Sequence, residues 1–381
     1  MALSGGGDSA ALLHLCLRAG VPVEAVTVDH ALRAESAAEA AACAVACAAL
    51  GVRHEVRVWH HGAVSGNLMD QARRARMGLI GDWARARGIG VVALGHTRDD
   101  QAETLLMGLA RRAGIDGLVG MRRQWRAGDL RFVRPLLDAG RAELRTWLRA
   151  EGIGWTDDPT NADTRFERVK ARRALQALVP LGITTEGLAA VAAHLGQVQA
   201  ALVVQVAEAA ARVLREDTGS LVIDRAAYLA VPDEVRRRLI LAAVGWVSGA
   251  DTPPRAASVE RLDLSIATGR DATLRGCRLQ GARLMREPAA VAGLVAALGQ
   301  VWDARWVLEG PAAPGAVVRA LGAVGLRHCP DWRDLGIPQA ALAVTPALWA
   351  GDRLLSAPLA GFGNGWSARI AAPFDLFGQS H

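Results

Sequence analysis

The first half of the chain alternates short apolar runs with longer stretches of helical periodicity. The apolar runs lie at Val23–Asp29, Arg53–Trp59 and Val91–Gly95. The helical patterns lie between and after them, at Ser9–Ala19, Glu35–Leu50, Asn67–Arg87 and Asp99–Arg112. The run at Val91–Gly95 is continuously apolar, as expected of a strand that is buried on both faces. This alternation predicts an α/β domain in which crossover helices connect the strands of a parallel sheet.

The pattern changes twice further along the chain. From Arg134 to about Pro180 it is mostly helical, and beyond Thr184 it predicts Ala/Val-rich helix over Glu186–Glu216, a short strand at the sequence SLVID and a helix over Asp233–Val247. A Pro-rich break at Asp251–Pro254 precedes a last third with strand-like pieces at Asp271–Glu287 and Trp302–Leu308. We therefore expect three regions: an α/β domain over 1–183, a mainly helical domain over 184–250 and a small α+β region over 251–381.

The composition is that of a globular protein in a reducing compartment. Apolar residues make up 51% of the 381 positions, yet no stretch approaches the roughly 20 apolar residues of a membrane span, and no secretory signal is visible. The five cysteines form no CxxC pair; they are Cys16, Cys43, Cys47, Cys277 and Cys329. Cys43 and Cys47 lie four apart in a helical run, which fits two small buried side chains better than a metal site. We expect a cytoplasmic protein without a membrane partner.

The charge is basic and almost entirely arginine. The formal net charge is +6 and the pI about 9.7, and Lys170 is the single lysine. This excludes most lysine-dependent chemistry, such as a Schiff base or the lysine of a Walker loop. A basic balance permits nucleic-acid binding without establishing it.

A glycine-rich loop stands almost at the start of the chain. It contains Ser4, Gly5, Gly6, Gly7, Asp8 and Ser9 and runs into the first helical pattern. Such glycines expose backbone N–H groups to an anion, and the helix N-terminus adds a positive potential. Asp8 would repel a bare phosphate, so it indicates a divalent cation such as Mg²⁺ between carboxylate and polyphosphate. The alternative interpretation is an ordinary glycine-rich turn between strand and helix.

The segment Gly95–Thr104 carries three acidic residues at a transition from strand to helix. Asp100 and Glu103 lie three apart and share one helical face, where two carboxylates repel each other unless a cation lies between them. The alternative is that the acidic residues only cap the helix. Arg73 and Arg76 likewise share one helical face; solvated side chains are one interpretation, and a pair that binds phosphate is the other.

A last basic stretch follows the sequence Trp155–Asn161. Its charged members are Arg165, Arg168, Lys170, Arg172 and Arg173. They could form a solvated helix face, but charge on one side of a helix also suits the phosphates of RNA.

Taken together, these strings resemble the tRNA(Ile)-lysidine synthetase family of the PP-loop ATP pyrophosphatases. The resemblance rests on the SGGxDS loop (Ser4–Ser9), VDHxLR (Val28–Arg33), two spaced arginines, GHxxDDQAET (Gly95–Thr104) and W-x-x-DPTN (Trp155–Asn161), in the family's order over roughly residues 1–180. There are departures. The family's RGSG appears as Arg111–Gly114, a tyrosine is replaced by Met77, and an Arg-Asn pair is Arg168-Val169. Only three residues precede the loop, so either the start codon is misplaced or the first strand is unusually short.

The resemblance implies an adenine nucleotide alpha hydrolase-like fold and an ATP-dependent ligase. ATP would adenylate the oxygen on carbon 2 of the wobble cytidine in a CAU-anticodon isoleucine tRNA. The ε-amine of free lysine would then displace AMP. It implies catalytic roles for Asp8 and Arg76, and it implies that Asp8 also binds Mg²⁺. It further implies that Asp100 and Glu103 bind the substrate lysine. The ATP-binding residues would be Ser4, Gly5, Gly6, Gly7, Asp8, Ser9, Asp29, Arg33, Arg73, His96 and Arg111. The tRNA-binding residues would be Arg165, Arg168, Lys170 and Arg172.

Three other functions compete with this one. Another PP-loop enzyme, such as a tRNA thiolase, fits the loop, but the missing CxxC pair and the acidic pair at Asp100 and Glu103 argue against it. An amide-forming relative such as NAD synthetase fits the first loop alone. A non-catalytic RNA-binding protein would not need Asp8 or the acidic pair, since binding phosphate does not require carboxylates. The oligomeric state stays open, a homodimer being one option.

Overall fold

A computed structural model of the chain describes residues 1–32, 35–61, 68–156, 167–250 and 252–374. The chain divides into two compact units, Met1–Ala200 and Ala201–Ser380. The first contains the predicted α/β domain, and the second contains several antiparallel sheets. The three regions with boundaries at 183 and 250 stay a prediction.

The strands and helices predicted for the first half of the chain are all present in the first unit. The strands are β1 (Ala25–Asp29), β2 (His54–Val58), β3 (Val91–Ala93), β4 (Gln124–Ala127) and β5 (Leu130–Val133). The helices are α1 (Gly7–Arg18), α2 (Ser36–Ala49), α3 (Leu68–Ala86), α4 (Arg98–Ala110), α5 (Ile115–Leu118), α6 (Arg141–Ala150), α7 (Glu167–Leu178) and α8 (Thr185–Val213), whose last residues belong to the second unit. A 3₁₀ turn, Val179–Leu181, follows α7.

The predicted parallel pairing is confirmed. β1 pairs in parallel with β2, and β3 pairs in parallel with β5. Ala2 forms a parallel bridge to Val26, and its N–H donates to the carbonyl of Ala93 at 3.0 Å. The segment that precedes the glycine-rich loop therefore lies between β1 and β3. It forms a single bridge there instead of a strand.

The hairpin β4–β5 was not predicted from the sequence. Its turn contains Gly128, whose φ of +64° is a conformation that glycine adopts without steric cost. Trp125 stands opposite Phe132 across the pair, and their rings stack at 5.0 Å. The hairpin continues the sheet beside β3 and delivers the chain to the start of α6.

Two apolar clusters hold the first unit together. One joins Leu12 and Leu13 of α1 to Leu144 and Leu148 of α6. The other covers Val92 of β3 with three residues of α3 that share one helical face, Ile80, Trp83 and Ala84. Cys43 and Cys47 are both buried, as their spacing predicted. Neither is in a disulfide bond. These contacts pack α6 against α1 and α3 against β3.

The second unit is richer in antiparallel strands than its sequence suggested. Its strands are β6 (Leu214–Asp217), β7 (Ser220–Ile223), β8 (Ala272–Leu274), β9 (Cys277–Gln280), β10 (Arg283–Arg286), β11 (Val295–Ala297), β12 (Trp306–Glu309), β13 (Val317–Ala320), β14 (Pro346–Ala350), β15 (Arg353–Ser356) and β16 (Ser367–Ile370). Its helices are α9 (Arg225–Leu229), α10 (Asp233–Ser248), α11 (Ala256–Thr268), α12 (Pro288–Val291), α13 (Gly322–Leu326) and α14 (Gln339–Ala343). Two 3₁₀ turns, Trp332–Leu335 and Pro358–Ala360, complete it.

The strands of this unit form three sheets. Their orders are β6-β7-β10-β9-β8, β11-β13-β14-β15 and β12-β16. The largest core lies between α10, α11 and the five-stranded sheet and includes Tyr228, Leu239 and Leu279. The helix predicted to reach Glu216 ends instead at Val213, because the next four residues pair with β7.

The expectation of no candidate membrane span needs correction. Within the described ranges, α8 is long and apolar enough to cross a membrane by length and composition, with a mean hydropathy of 1.6. The expectation failed because it counted uninterrupted apolar residues, whereas isolated polar residues leave the average over this helix high. One such helix is weak support for a membrane span.

Candidate active site

The glycine-rich loop is fixed by its two serines and by a neighbouring backbone segment. The Oγ of Ser9 donates to the carbonyl of Gly6 at 2.9 Å and accepts from the N–H of Ser4 at 3.2 Å. The N–H of Thr156 donates to the carbonyl of Gly5 at 2.9 Å, and Trp155 lies against Gly7. Gly5 has a φ of +80°, which explains the glycine at that position. The loop then opens into the first turn of α1, where Asp8 lies.

Three carboxylates converge beside this loop, and we call Asp8, Asp100 and Glu103 the carboxylate cluster. All three contact one guanidinium group: Arg141 donates through Nε to Asp8 at 3.0 Å, through one terminal nitrogen to Glu103 at 3.0 Å, and through the other to Asp100 at 3.1 Å. The cation that the acidic pair requires is therefore present within the protein. Sequence reasoning missed Arg141, which had no role in any of the motifs.

In the carboxylate cluster Asp100 and Glu103 are buried and Asp8 is half-buried, and each member uses its two oxygens differently. The second oxygen of Asp100 accepts from the backbone N–H of Thr97 at 2.8 Å and thus caps α4. Oδ1 of Asp8 and Oε2 of Glu103 are buried without a hydrogen-bond partner in the described part of the chain. The Glu103 side chain is 0% exposed. Since an unpaired buried carboxylate oxygen is costly, these two atoms mark where a cationic ligand fits.

Charge and burial shift the pKa values of the cluster in opposite directions. Burial raises the pKa of Asp8, and the neighbouring Arg141 offsets part of that shift. Burial also opposes ionisation of Asp100, but Arg141 and the Thr97 N–H outweigh it and lower its pKa. For Arg141 burial favours the neutral form, whereas Asp100, Glu103 and Asp8 together raise its pKa. Arg141 therefore favours the ionised forms of Asp8 and Asp100.

Four arginines interact with one another close to Asp100, and we call Arg73, Arg76, Arg134 and Arg168 the arginine cluster. Burial and then the charges of Arg168 and Arg73 lower the pKa of Arg76. Burial and then Arg73 and Arg168 lower the pKa of Arg134 to about 10. Such mutual repulsion is relieved when an anion lies among the guanidinium groups, and arginine binds phosphate in a fixed fork. Arg73 and Arg76 therefore fit the phosphate-binding interpretation.

The imidazole of His96 accepts a hydrogen bond from the arginine cluster. Its Nδ1 accepts from Nε of Arg134 at 3.0 Å, and Arg134 itself lies over the ring of Trp125 at 4.2 Å. Burial is the main cause that lowers the pKa of His96 to about 4, and nearby arginines add to it. The imidazole is therefore neutral at physiological pH.

The other predicted nucleotide-binding residues have different surroundings. Asp29 is buried at the end of β1, where its Oδ1 accepts from the N–H of Ala31 at 2.8 Å and closes a turn. Arg111 is exposed at the end of α4. Arg33, like Arg165 and the segment 157–161, lies outside the described residues.

The basic helix α7 turns two of its predicted tRNA-binding residues toward the carboxylate cluster. Arg172 donates to Oε1 of Glu103 at 2.7 Å, and Arg168 lies 3.7 Å from Asp100. Lys170 is exposed and pairs with Glu167 at 2.7 Å, and Arg173 is also exposed. The two faces of α7 therefore have different surroundings, and the tRNA-binding role of its residues stays a prediction.

A divalent cation at this site would find one suitable protein ligand. Mg²⁺ is commonly held by one or two carboxylates together with substrate phosphates, so the free Oδ1 of Asp8 fits that requirement. Across the described ranges there is no group of three His, Cys, Asp or Glu residues that could hold a metal on its own. The residues therefore suit a metal that arrives with a polyphosphate.

Comparison with known proteins adds a family relationship to this geometry. Residues 1–179 match the PP-loop domain family. The chain is 47% identical to the tRNA(Ile)-lysidine synthase of Ruegeria pomeroyi over 97% of its own length and 90% of the relative's. It is 36% identical to the tRNA(Ile)-lysidine synthase of Bradyrhizobium diazoefficiens, over 79% and 88% of the two chains. A solved structure, the U34-tRNA thiolase NcsA from Methanococcus maripaludis, is a weaker match. It is 16% identical, and the match has a TM-score of 0.45 and covers 51% of this chain and 70% of that one.

Proposed function

The chain belongs to the tRNA(Ile)-lysidine synthases, ATP-dependent ligases with a PP-loop domain, and from this premise we propose how its residues carry out the reaction. Its substrates are ATP, lysine and tRNA(Ile). In the proposed first step the O2 atom of the wobble cytidine attacks the α-phosphorus of ATP, and the bond to the bridging α–β oxygen breaks to release pyrophosphate. In the second step the ε-amine of lysine attacks carbon 2, the C2–O bond breaks, and AMP leaves with that oxygen.

The first step uses the loop side of the site. The N–H groups of the loop and the start of α1 would bind phosphate oxygens, and Arg73 and Arg76 would offset charge as pyrophosphate leaves. Asp8 would hold Mg²⁺ through its free oxygen, and the metal would supply further charge neutralisation on the phosphates. Neutral His96 would keep Arg134 in place through their hydrogen bond.

The second step uses the acidic side of the site. Glu103 presents one free, fully buried oxygen, and Asp100 lies one helical turn away in α4. These two carboxylates would bind the ammonium group of lysine and orient it toward carbon 2. The amine must lose protons to attack and to form the product, and we propose that one of the two carboxylates accepts a proton. The buried, unpaired Oε2 of Glu103 is the observation on which this proposal chiefly depends.

The RNA would approach along exposed basic residues. Lys170 and Arg173 on the outer face of α7 are available to phosphates, and a cytidine in an anticodon loop is unstacked at low cost. We propose a cytoplasmic location, because the substrates are a tRNA and ATP and the cysteines are not in disulfide bonds.

The test is incubation of the enzyme with ATP, labelled lysine and the CAU-anticodon isoleucine tRNA. We expect label to enter the tRNA only when ATP is present. A tRNA with uridine at the wobble position is the control and should take up no label. Failure to label the CAU tRNA would refute the assigned substrate.

A further inference from the structure

Arg141 connects two parts of the site that act in different steps. Asp8 belongs to the loop that would bind the nucleotide, whereas Asp100 and Glu103 belong to the helix that would bind lysine. The side chain of Arg141 is 17% exposed, and its guanidinium contacts all three carboxylates within 3.1 Å, one through each nitrogen. A planar group with three nitrogens fixes both the distances and the angles among its partners.

The backbone at the start of α6 fixes the position from which Arg141 reaches the cluster. The N–H of Arg141 donates to Asp99 Oδ2 at 2.7 Å, and the N–H of Arg98 donates to the carbonyl of Ala139 at 3.0 Å. The N–H of Gly140 donates to Glu143 at 3.1 Å and completes the cap. The starts of α4 and α6 are thus joined by backbone contacts as well as by the side chain of Arg141.

The oxygens that Arg141 leaves free suggest that it remains in place during the reaction. It occupies one oxygen of Asp8 and one of Glu103, and the other oxygen of each is buried without a partner among the described residues. A group that merely filled the ligand's position would be expected to satisfy those free oxygens as well. Arg141 instead contacts one oxygen of Asp8 and one of Glu103 and leaves the other oxygen of each for a ligand.

We propose that Arg141 is a positioning residue for both steps of the reaction, which holds Asp8 for the adenylation step and Asp100 and Glu103 for the lysine step. This inference rests on the proposed function. It differs from a purely structural role because it predicts two separate kinetic defects from one substitution. The adenylation defect arises at Asp8, and the lysine defect arises at Glu103.

The test compares R141A with R98A. Arg98 is a matched control, because it also joins α4 to α6 through Glu143, at 2.8 Å, but contacts no member of the carboxylate cluster. Adenylation is measured alone as ATP–pyrophosphate exchange with tRNA and without lysine. The lysine step is measured as the KM for lysine in the complete reaction. Melting temperature reports folding, and R141K tests whether charge without the planar fork is sufficient.

For R141A we expect exchange to fall and lysine KM to rise, each about tenfold or more, as the loss of a charge-assisted contact implies. Millimolar guanidinium should restore part of both activities to R141A, and none to R98A, whose defect should be confined to stability. R141K should recover less than half of either activity. The inference is overturned if R141A matches R98A in both assays, if only one step is impaired, or if guanidinium has no effect on a folded R141A. Absence of lysine transfer by the wild-type enzyme would count instead against the proposed function.

Discussion

Replacing Glu103 by glutamine tests the lysine site while leaving its shape almost unchanged. The amide oxygen can still accept from Arg141 and Arg172, which both contact Oε1, at 3.0 and 2.7 Å. The atom that takes the place of the free Oε2 is then an NH₂ group, which donates and cannot accept from an ammonium. The substitution therefore removes the contact with substrate more completely than the contacts within the protein.

The size of the effect follows from the contact that is lost. A hydrogen bond to a charged group contributes about 1.5–3 kcal/mol. Because about 1.4 kcal/mol corresponds to a tenfold change, the KM for lysine should rise about 10- to 100-fold. The KM for ATP should change by less than about twofold, since Asp8 keeps its contact with Arg141. The melting temperature should fall only slightly, because the internal contacts are kept.

The assay is lysine incorporation into the CAU-anticodon tRNA, with lysine varied at saturating ATP and then ATP varied at saturating lysine. Glu151→Gln is a matched control, because Glu151 also pairs with an arginine, Arg18 at 2.6 Å, but at an exposed position outside the site. It should change neither KM. An unchanged lysine KM in Glu103→Gln, or an equal rise in both KM values, would refute the reasoning.

Three further predictions concern the loop and its surroundings. Asp8→Ala should abolish lysine incorporation while tRNA binding, measured by filter retention, persists; near wild-type activity would contradict the metal role. Gly95→Ala should weaken ATP binding in calorimetry, because its Cβ would lie 3.0 Å from the Asp8 carbonyl oxygen; Gly78→Ala meets nothing within 4 Å and should bind ATP normally. His96 has a pKa of about 4 when folded and 6.5 ordinarily, so its contribution to stability is complete above pH 6.5 and is lost as pH falls through 4. His96→Gln should therefore lose less melting temperature than wild type between pH 7 and 4, and parallel curves would contradict this.

The chemistry that the sequence could predict lies in contiguous strings. Ser4–Ser9 and Gly95–Thr104 each bring their functional groups together within one short contiguous segment, so spacing alone indicates an anion cradle and an acidic pair. Parallel strands then place both strings at one edge of the sheet. Arg141 could not be predicted in this way, because its contact with Asp8 joins residues 133 positions apart and depends on how α6 packs.

The sequence also could not predict which basic residues of α7 are exposed. The basic residues of α7 form one cluster in the sequence, yet Arg172 contacts Glu103 while Lys170 is exposed. The two faces differ because Val169, Ala171 and Leu175 set which side of the helix is buried. The hairpin β4–β5 was missed for a related reason, since the ring stacking of Trp125 on Phe132 that stabilises it appears only once the strands pair.

The single lysine of the chain makes α7 accessible to selective chemical labelling. Amine-reactive reagents modify lysine side chains, and Lys170 is the single lysine of this sequence. Lys170 is exposed, and its partner among the described residues is Glu167, in a surface ion pair. A dye or cross-linker would therefore attach at one defined position on the outer face of α7. The distance from that position to a labelled anticodon loop could then be followed while the enzyme turns over.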